Sequence, residues 1–238
     1  MKKTLLFSLL IVASFSFATV KAQTANEIVA QYIQAIGGAD KLKTIQTVIM
    51  EGTLTAQGME IPVKSYAMHN YGLRQNFDVM GMSNYTIVRK DSGWSFIPVM
   101  GQQAPEAMTA DVLKFTENSL DLQSEFIDYI AKGHTIELLG KEDVDGTECF
   151  MVKITYKNGE NATYYFDPST YYAIQKKQKA SVNGQETEAV TKLSNYTKTA
   201  EGFVFPMSIE GGGMPGILTL TKVEINKPVD EAMFTLVK

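Results

Sequence analysis

The stretch that decides the fold is VFPMSIEGGGMPGILTLT, residues 204–221, in which two apolar runs flank three consecutive glycines. Side-chain alternation in the first run places Phe205, Met207 and Ile209 on one face. Two extended runs joined by a short glycine-rich connection are typical of an antiparallel hairpin. The sequence leaves open whether this loop, with Met214 near its tip, is an ordinary turn or the mouth of an apolar pocket.

Turn signals of the same kind recur along the chain from Thr47 onward. Between them lie short runs rich in Thr, Tyr, Val, Ile and Phe. This regular alternation of turn signals and short apolar runs predicts an antiparallel meander of about eleven or twelve strands. A sheet with so many strands has to curl or close, because its twist accumulates and its edges need protection.

Two regions of the sequence have helical rather than alternating spacing. Thr24 and Glu27 have the spacing of a capping box, so a helix is predicted to begin there and to end at the Gly37-Gly38 pair. Residues 105–132 predict two further helices that break at Asn118-Ser119. Their apolar faces must bury against the sheet. The predicted fold is therefore α+β and mainly β: a strongly curved antiparallel half-barrel of about eleven strands with helices covering its concave face.

The N-terminal segment has the layout of a secretory signal. Lys2 and Lys3 precede an apolar run, and residues 1–22 are predicted to be removed, leaving residues 23–238 as one domain. The new N-terminus would be Gln23 rather than cysteine, so the sequence predicts a periplasmic protein without a lipid anchor. Two arginines and a net charge of −4 argue against nucleic acid as a partner.

Residues that could carry chemistry are sparse. The chain has two histidines, His69 and His134, and the spacing of neither matches a metal-binding motif. The single cysteine, Cys149, reads as a small core residue in a strand. The sequence therefore predicts no catalytic residues, no metal and no cofactor, and a binding protein rather than an enzyme. A hydrolase is the most remote reading, which a Ser-His pair or converging carboxylates in a cleft would revive.

Methionine is unusually frequent in the second quarter of the chain. Its flexible, polarizable side chain suits both irregular cores and surfaces that accept ligands of variable shape, and the sequence does not separate these uses. Apolar residues on the presumed inner strand faces and on the central helical region are the candidates for binding a hydrophobic ligand: Met50, Leu54, Met68, Trp94, Phe96, Met108, Val112, Phe115, Phe150, Val152, Phe205, Met207 and Ile209.

Several segments taken together resemble the bacterial lipoprotein-carrier superfamily of LolA and LolB type. They are ANEIVAQYIQAIGGADKLKTIQTVIMEGTL (25–54), TYYFDPSTYYAIQKK (163–177), NYTKTAEGFVFP (195–206) and KVEINKPVDEAMFTL (222–236). The resemblance runs in order over nearly the whole chain after residue 22. It implies a half-open barrel covered by helices, with acyl chains held between sheet and helices.

The resemblance carries implications for ligand and partners. It implies a soluble periplasmic carrier for a lipid or for the acyl chain of a lipoprotein, with transient membrane contact and no nucleic acid. The carrier branch fastens its helical lid with an arginine, and Arg74 is the candidate here, although an ordinary solvated strand charge also explains that residue. The alternative function is an envelope protein-protein interaction module with a filled core and no lipid ligand.

Overall fold

The computed structural model describes residues 23–182 and 185–236, and the predicted signal peptide lies outside these residues. All thirteen described strands belong to one antiparallel sheet, with the order β6-β5-β4-β3-β2-β1-β13-β12-β11-β10-β9-β8-β7. The sheet is open and curved, with free edges at β6 and β7. The predicted mainly β half-barrel is confirmed, with two strands more than the eleven expected.

The strands follow the turn signals read from the sequence. Their bounds are Thr47–Ala56 (β1), Met59–Met68 (β2), Gly72–Val79 (β3), Met82–Arg89 (β4), Gly93–Phe96 (β5), Glu106–Ala107 (β6), Thr135–Val144 (β7), Thr147–Thr155 (β8), Asn161–Phe166 (β9), Ala173–Val182 (β10), Gln185–Lys198 (β11), Val204–Gly211 (β12) and Ile217–Ile225 (β13).

Helix α1 spans Ala25–Ala35 and begins at the predicted capping box. The Thr24 hydroxyl accepts the Glu27 backbone N–H, and the Glu27 carboxylate accepts the Thr24 N–H in return. Its apolar side, including Ile28 and Val29, packs on the concave face of the sheet. A short helix α2, Ala39–Leu42, follows the Gly37-Gly38 pair.

The segment between β6 and β7 crosses the concave face, and we call residues 108–134 the strap. It contains helix α3, Ala110–Thr116, and a 3-10 helix, Glu117–Leu120. The second helix predicted in this region is wrong, because residues 121–134 form successive turns in which Ser124 and Asp128 have positive φ. Both left-handed residues interrupt the α-helical hydrogen-bond ladder.

The C-terminal segment covers part of the outer face of the sheet. A 3-10 helix, Glu231–Phe234, buries Phe234 against Gly72, where an added Cβ would lie 2.8 Å from the phenyl ring. Arg74 donates to the Met233 carbonyl at 3.0 Å and lies over the Tyr85 ring. Arg74 therefore fastens the C-terminus to the outer face rather than a lid to the concave face.

Candidate functional site

The register of the strands shows which side chains share the concave face. Met50 pairs with Ser65 on one side and with Val223 on the other, and Leu54 pairs with Ile61 and Leu218. Partly exposed apolar side chains pack here on a buried floor of Val63, Leu218 and Leu220. We call this surface the open trough and define it by Met50, Leu54, Phe77, Met207, Ile209 and Val223.

The other half of the concave face is filled by protein. Phe126 from the strap inserts between α1 and strands β8 to β10, with ring centroids 5.0–5.9 Å from those of Tyr32, Tyr164 and Phe166. The side chains of Val152 and Ile154 on the floor of this half have no exposed surface. Covered and uncovered apolar residues therefore divide the concave face into a packed half and the open trough.

The glycine hairpin of residues 211–216 turns over one end of the trough. Gly211, Gly212 and Gly213 all have positive φ, and Met214 packs back onto the trough floor. A Cβ at Gly216 would lie 2.1 Å from the Thr55 carbonyl oxygen, so only glycine fits this approach to β1. The loop is therefore both a hairpin turn and part of the trough rim.

The structure brings some of the predicted lining residues together and separates others. Met50, Leu54, Met207 and Ile209 pack around the trough floor, and Phe205 continues the same face of β12. Phe150 and Val152 are on the concave face but belong to the packed half, beneath α1 and Phe126.

Met68, Trp94 and Phe96 lie on the outer face, which corrects their predicted place in the lining. Trp94 pairs with Ile87 and Phe96 with Tyr85, and Met68 pairs with Gly72 beneath Phe234. Alternation relates residues within one strand, whereas the relative phase of two strands depends on a register that the sequence does not state.

The remaining methionines of the second quarter have a different setting from Met50. Met59, Met80, Met82 and Met100 are among the most exposed large apolar residues, with Met80 80% and Met100 78% exposed. Each lies at or beside a turn that joins neighbouring strands. These four side chains therefore neither fill the core nor line the trough floor.

Helix α3 is held across the concave face mainly by contacts near its ends. At the β5 side, the Met108 N–H donates to the Gly93 carbonyl, and Met108 and Leu113 occupy the space where a Cβ of Gly93 would be. At the opposite side the Lys114 ammonium lies 2.9 Å from the Glu160 carboxylate. No residue of α3 is fully buried, and Val112 is 39% exposed.

A small polar cavity of about 180 Å³ lies beneath α3. Phe115 lines it from the strap, while Lys176 and Thr191 line it from paired positions on the concave face of β10 and β11. Two residues farther along β11, Leu193 pairs with the trough residue Ile209. The polar cavity therefore adjoins the open trough.

A larger polar cleft of about 500 Å³ lies where the β4–β5 and β8–β9 turns approach the strap. Lys90 lies on one side and Lys157 on the other, with Asn118 and Asp121 of the strap between them. The Asp121 carboxylate pairs with the Lys132 ammonium at 2.5 Å. Polar contacts therefore hold this part of the strap together with the buried side chain of Leu120.

Both histidines accept backbone N–H groups where the strap and the neighbouring turns meet. His69 Nδ1 accepts from Leu122 at 3.2 Å, and His134 Nδ1 accepts from Lys157 at 3.1 Å. Burial lowers the pKa of His69; the Asp121 charge opposes this shift and the Lys132 charge adds to it. Burial also lowers the pKa of His134, with Lys132 adding to the effect and Asp121 and Glu125 opposing it.

We expect these histidines to make the fold less stable in mild acid. Since their folded pKa values lie below the unfolded value of about 6.5, the unfolded chain binds more protons. The stability they contribute is present above that pH and is lost as the pH falls below it. Urea unfolding at pH 7.5 and 5.5 should show a lower midpoint at pH 5.5, and a smaller difference in the H69Q/H134Q double variant. An equal or higher midpoint at pH 5.5 would contradict this.

Several residues of the site were missed from the sequence. Phe77 and Val223 belong to the trough. Phe77 follows the alternation of β3, whereas Val223 shares a face with Leu218 and Leu220 only because the pairing of β1 with β13 shifts register between Glu51 and Gly52. Lys176 lies within the charged run QKKQK, residues 175–179, which reads as a solvated strand. Only the pairing of β10 with β11 places Lys176 on the concave face.

Metal-binding side chains are not grouped in the part of the chain that the structure describes. Within residues 23–182 and 185–236, no set of three His, Cys, Asp or Glu side chains could hold a metal ion. In the same residues no helix has the length and apolar character needed to cross a membrane.

Cys149 is buried on the outer side against Tyr165 and Val144, and burial raises its pKa to about 11. Its predicted role as a core residue is confirmed.

Comparison with known proteins identifies the fold. No protein-family profile and no curated protein sequence matches the chain. A DUF1329-family protein from Desulfovibrio piger superposes with a TM-score of 0.55 at 13% identity, covering 90% of this chain and 98% of its own. A LolA superfamily protein from Nitrosomonas europaea gives 0.53 at 12% identity, covering 90% and 99%.

A third solved structure points the same way. A domain from Vibrio parahaemolyticus described as an outer membrane lipoprotein-sorting protein has a TM-score of 0.50 at 13% identity, covering 88% of this chain and 95% of its own. The chain therefore has the LolA-like fold, as its sequence resemblance implied. These similarities establish the architecture, and the function has to be argued from the trough.

Proposed function

We propose that the protein is a carrier in the bacterial envelope that holds the acyl chain of a lipid or lipoprotein in the open trough. Supporting this is the row of partly exposed apolar side chains on the concave face, with Met207 and Ile209 of β12 and Met50 and Leu54 of β1 on either side of β13. In a protein that needed only a stable core, we would expect another side chain to cover these residues, as Phe126 covers the packed half of the concave face. The signal-like segment 1–22 supports a periplasmic location.

The energetics favour an aliphatic ligand. Each methylene removed from water contributes about 0.8 kcal/mol, so an acyl chain laid in the trough gains several kcal/mol before the costs of ordering. Methionine adapts its three rotatable bonds to chains of different shape. Binding of this kind requires no covalent step, which agrees with the absence of a predicted catalytic group.

Helix α3 is the part of the proposed carrier best suited to move. It has no fully buried residue, and its contacts are concentrated near its two ends. Segments with few buried apolar contacts open at low free-energy cost. In this proposal α3 acts as a lid that shifts when the acyl chain enters or leaves.

The alternative function, an envelope protein-interaction module, is favoured by one different feature. A groove of about 530 Å³ runs outside α1, between Val29 and Ile33 of the helix and the strap residues Tyr129 and Ile130. Ile130 is 74% exposed at its edge. A protein partner laid in this groove would explain that exposure without any ligand in the trough.

The two functions are separated by examining the protein for bound lipid. We expect native mass spectrometry of the protein, purified from a bacterial periplasm without detergent, to show an added mass in the range of a fatty acid or phospholipid. The stripped protein should then take up a fluorescent fatty acid. A protein without added mass that also fails to take up the probe would overturn the carrier proposal in favour of the interaction module.

A further inference from the structure

The cavity beneath α3 is lined mainly by polar residues, whereas the trough beside it is apolar. Lys176 reaches it from the concave face of β10, with its ammonium 5.3 Å from the centre of the Tyr164 ring. Within the described residues, no carboxylate or other acceptor lies within hydrogen-bond distance of the Lys176 ammonium. Two lysines nearby on the same strands do have acceptors: Lys177 bonds Glu142 and Lys192 bonds Asp145.

A second donor without a partner belongs to Asn118, which lines both this cavity and the larger cleft. The side-chain nitrogen of Asn118 is buried, and no acceptor within the described part of the chain satisfies it. An unsatisfied buried donor is unfavourable, so an acceptor supplied from outside would recover the free energy of the missing hydrogen bond. Thr191 adds a hydroxyl on the concave face beside Lys176. The residues that line the cavity thus include a lysine and neutral donors and, within the described part of the chain, no carboxylate.

Nearby charges do not neutralise Lys176 directly. Glu125 accepts hydrogen bonds from the Tyr156 and Tyr164 hydroxyls. The Lys176 ammonium lies over the ring of Tyr164, and the hydroxyl of that tyrosine already donates to the Glu125 carboxylate. Burial lowers the pKa of Lys176, and the Glu125 charge opposes this shift. An anion in the cavity would favour the charged ammonium and offset its desolvation.

We infer that this cavity binds the carboxylate of a fatty acid, with Lys176, Asn118 and Thr191 as donors and the acyl chain lying in the open trough. A carboxylate offers about four acceptor sites, enough for all three donors. The strand register connects the cavity to the trough. Thr191 lines the cavity, and Leu193, two residues farther along the same face of β11, pairs with the trough residue Ile209. This inference rests on the proposed carrier function and narrows it to a single-chain lipid with an anionic end.

The test compares palmitate with its uncharged methyl ester, each displacing a fluorescent fatty acid. The wild-type protein should bind palmitate about tenfold more tightly than methyl palmitate, because hydrogen bonds to a charged carboxylate are stronger than those to a neutral ester. Lys176→Met keeps the aliphatic stem and removes the charge. It should weaken palmitate binding about tenfold and leave the ester unchanged.

Two further variants keep the result interpretable. Lys177→Met changes the adjacent lysine, which lies on the outer face with Glu142, and should keep the wild-type preference. Asn118→Leu removes the unpartnered donor and should reduce the preference even if Lys176→Met does not fold. Equal binding of acid and ester by the wild type, or a preference that survives both cavity variants, would overturn the carboxylate site alone. Failure of the wild type to bind either ligand would overturn the carrier function as well.

Discussion

Met207→Glu is expected to abolish acyl-chain retention while leaving the fold intact. Met207 lies on the trough face of β12, partly exposed above the floor formed by Leu218 and Leu220. An ionised carboxylate at this place remains hydrated in the empty protein, but an acyl chain would strip its water and leave it unpaired. Desolvation of that kind costs several kcal/mol, so binding of a fluorescent fatty acid should weaken about a hundredfold or more.

The neighbouring residue gives a matched control. Ser208 pairs with Thr219 on the opposite face of the same strand, so Ser208→Glu adds the same charge away from the trough. Its affinity should stay within about twofold of wild type. Circular dichroism spectra and melting temperatures of both variants would show whether they fold. Normal lipid uptake by folded Met207→Glu protein would place the acyl chain elsewhere, and Phe205→Asp would repeat the test on the same face.

The fold followed from the sequence because its signals are local. The capping box at Thr24 fixes where α1 begins, and glycine-containing turns such as Gln57-Gly58 fix where strands reverse. Within one strand, alternation also gave the correct face for Met50 and Leu54. These inferences need only the geometry of neighbouring residues, and the sequence contains that information directly.

The site was harder to predict because it depends on relations between distant segments. Phe126 and Ile127 are adjacent in the chain, yet they bury in two different clusters, which a helix with one apolar face would not produce. The same limit applies to Lys176, whose place opposite Thr191 follows from a strand register. These positions depend on pairing and packing between residues far apart in the sequence. Helical or strand periodicity describes only neighbouring residues and cannot predict such contacts.

Substitutions of two phenylalanines are expected to show that one half of the concave face stabilises the fold and the other half binds the ligand. Phe126→Ala removes a ring that is 2% exposed and packed against three other aromatic rings, so it should lower the free energy of unfolding by about 3–5 kcal/mol. Phe77 lies in the open trough, opposite Val63, and remains partly exposed. Since that ring has fewer packing partners to lose, Phe77→Ala should cost less than about 2 kcal/mol.

The same pair should show the reverse order in lipid binding. Loss of the Phe77 ring removes apolar surface that an acyl chain would cover, so fatty-acid affinity should fall by about tenfold in Phe77→Ala. Folded Phe126→Ala protein should keep an affinity near that of wild type, because Phe126 lies in the packed half. Urea unfolding and fluorescent fatty-acid titration measure the two quantities on the same samples. If Phe77→Ala were as destabilising as Phe126→Ala and left binding unchanged, both halves of the concave face would be protein core. That result would contradict the carrier function and favour the interaction module.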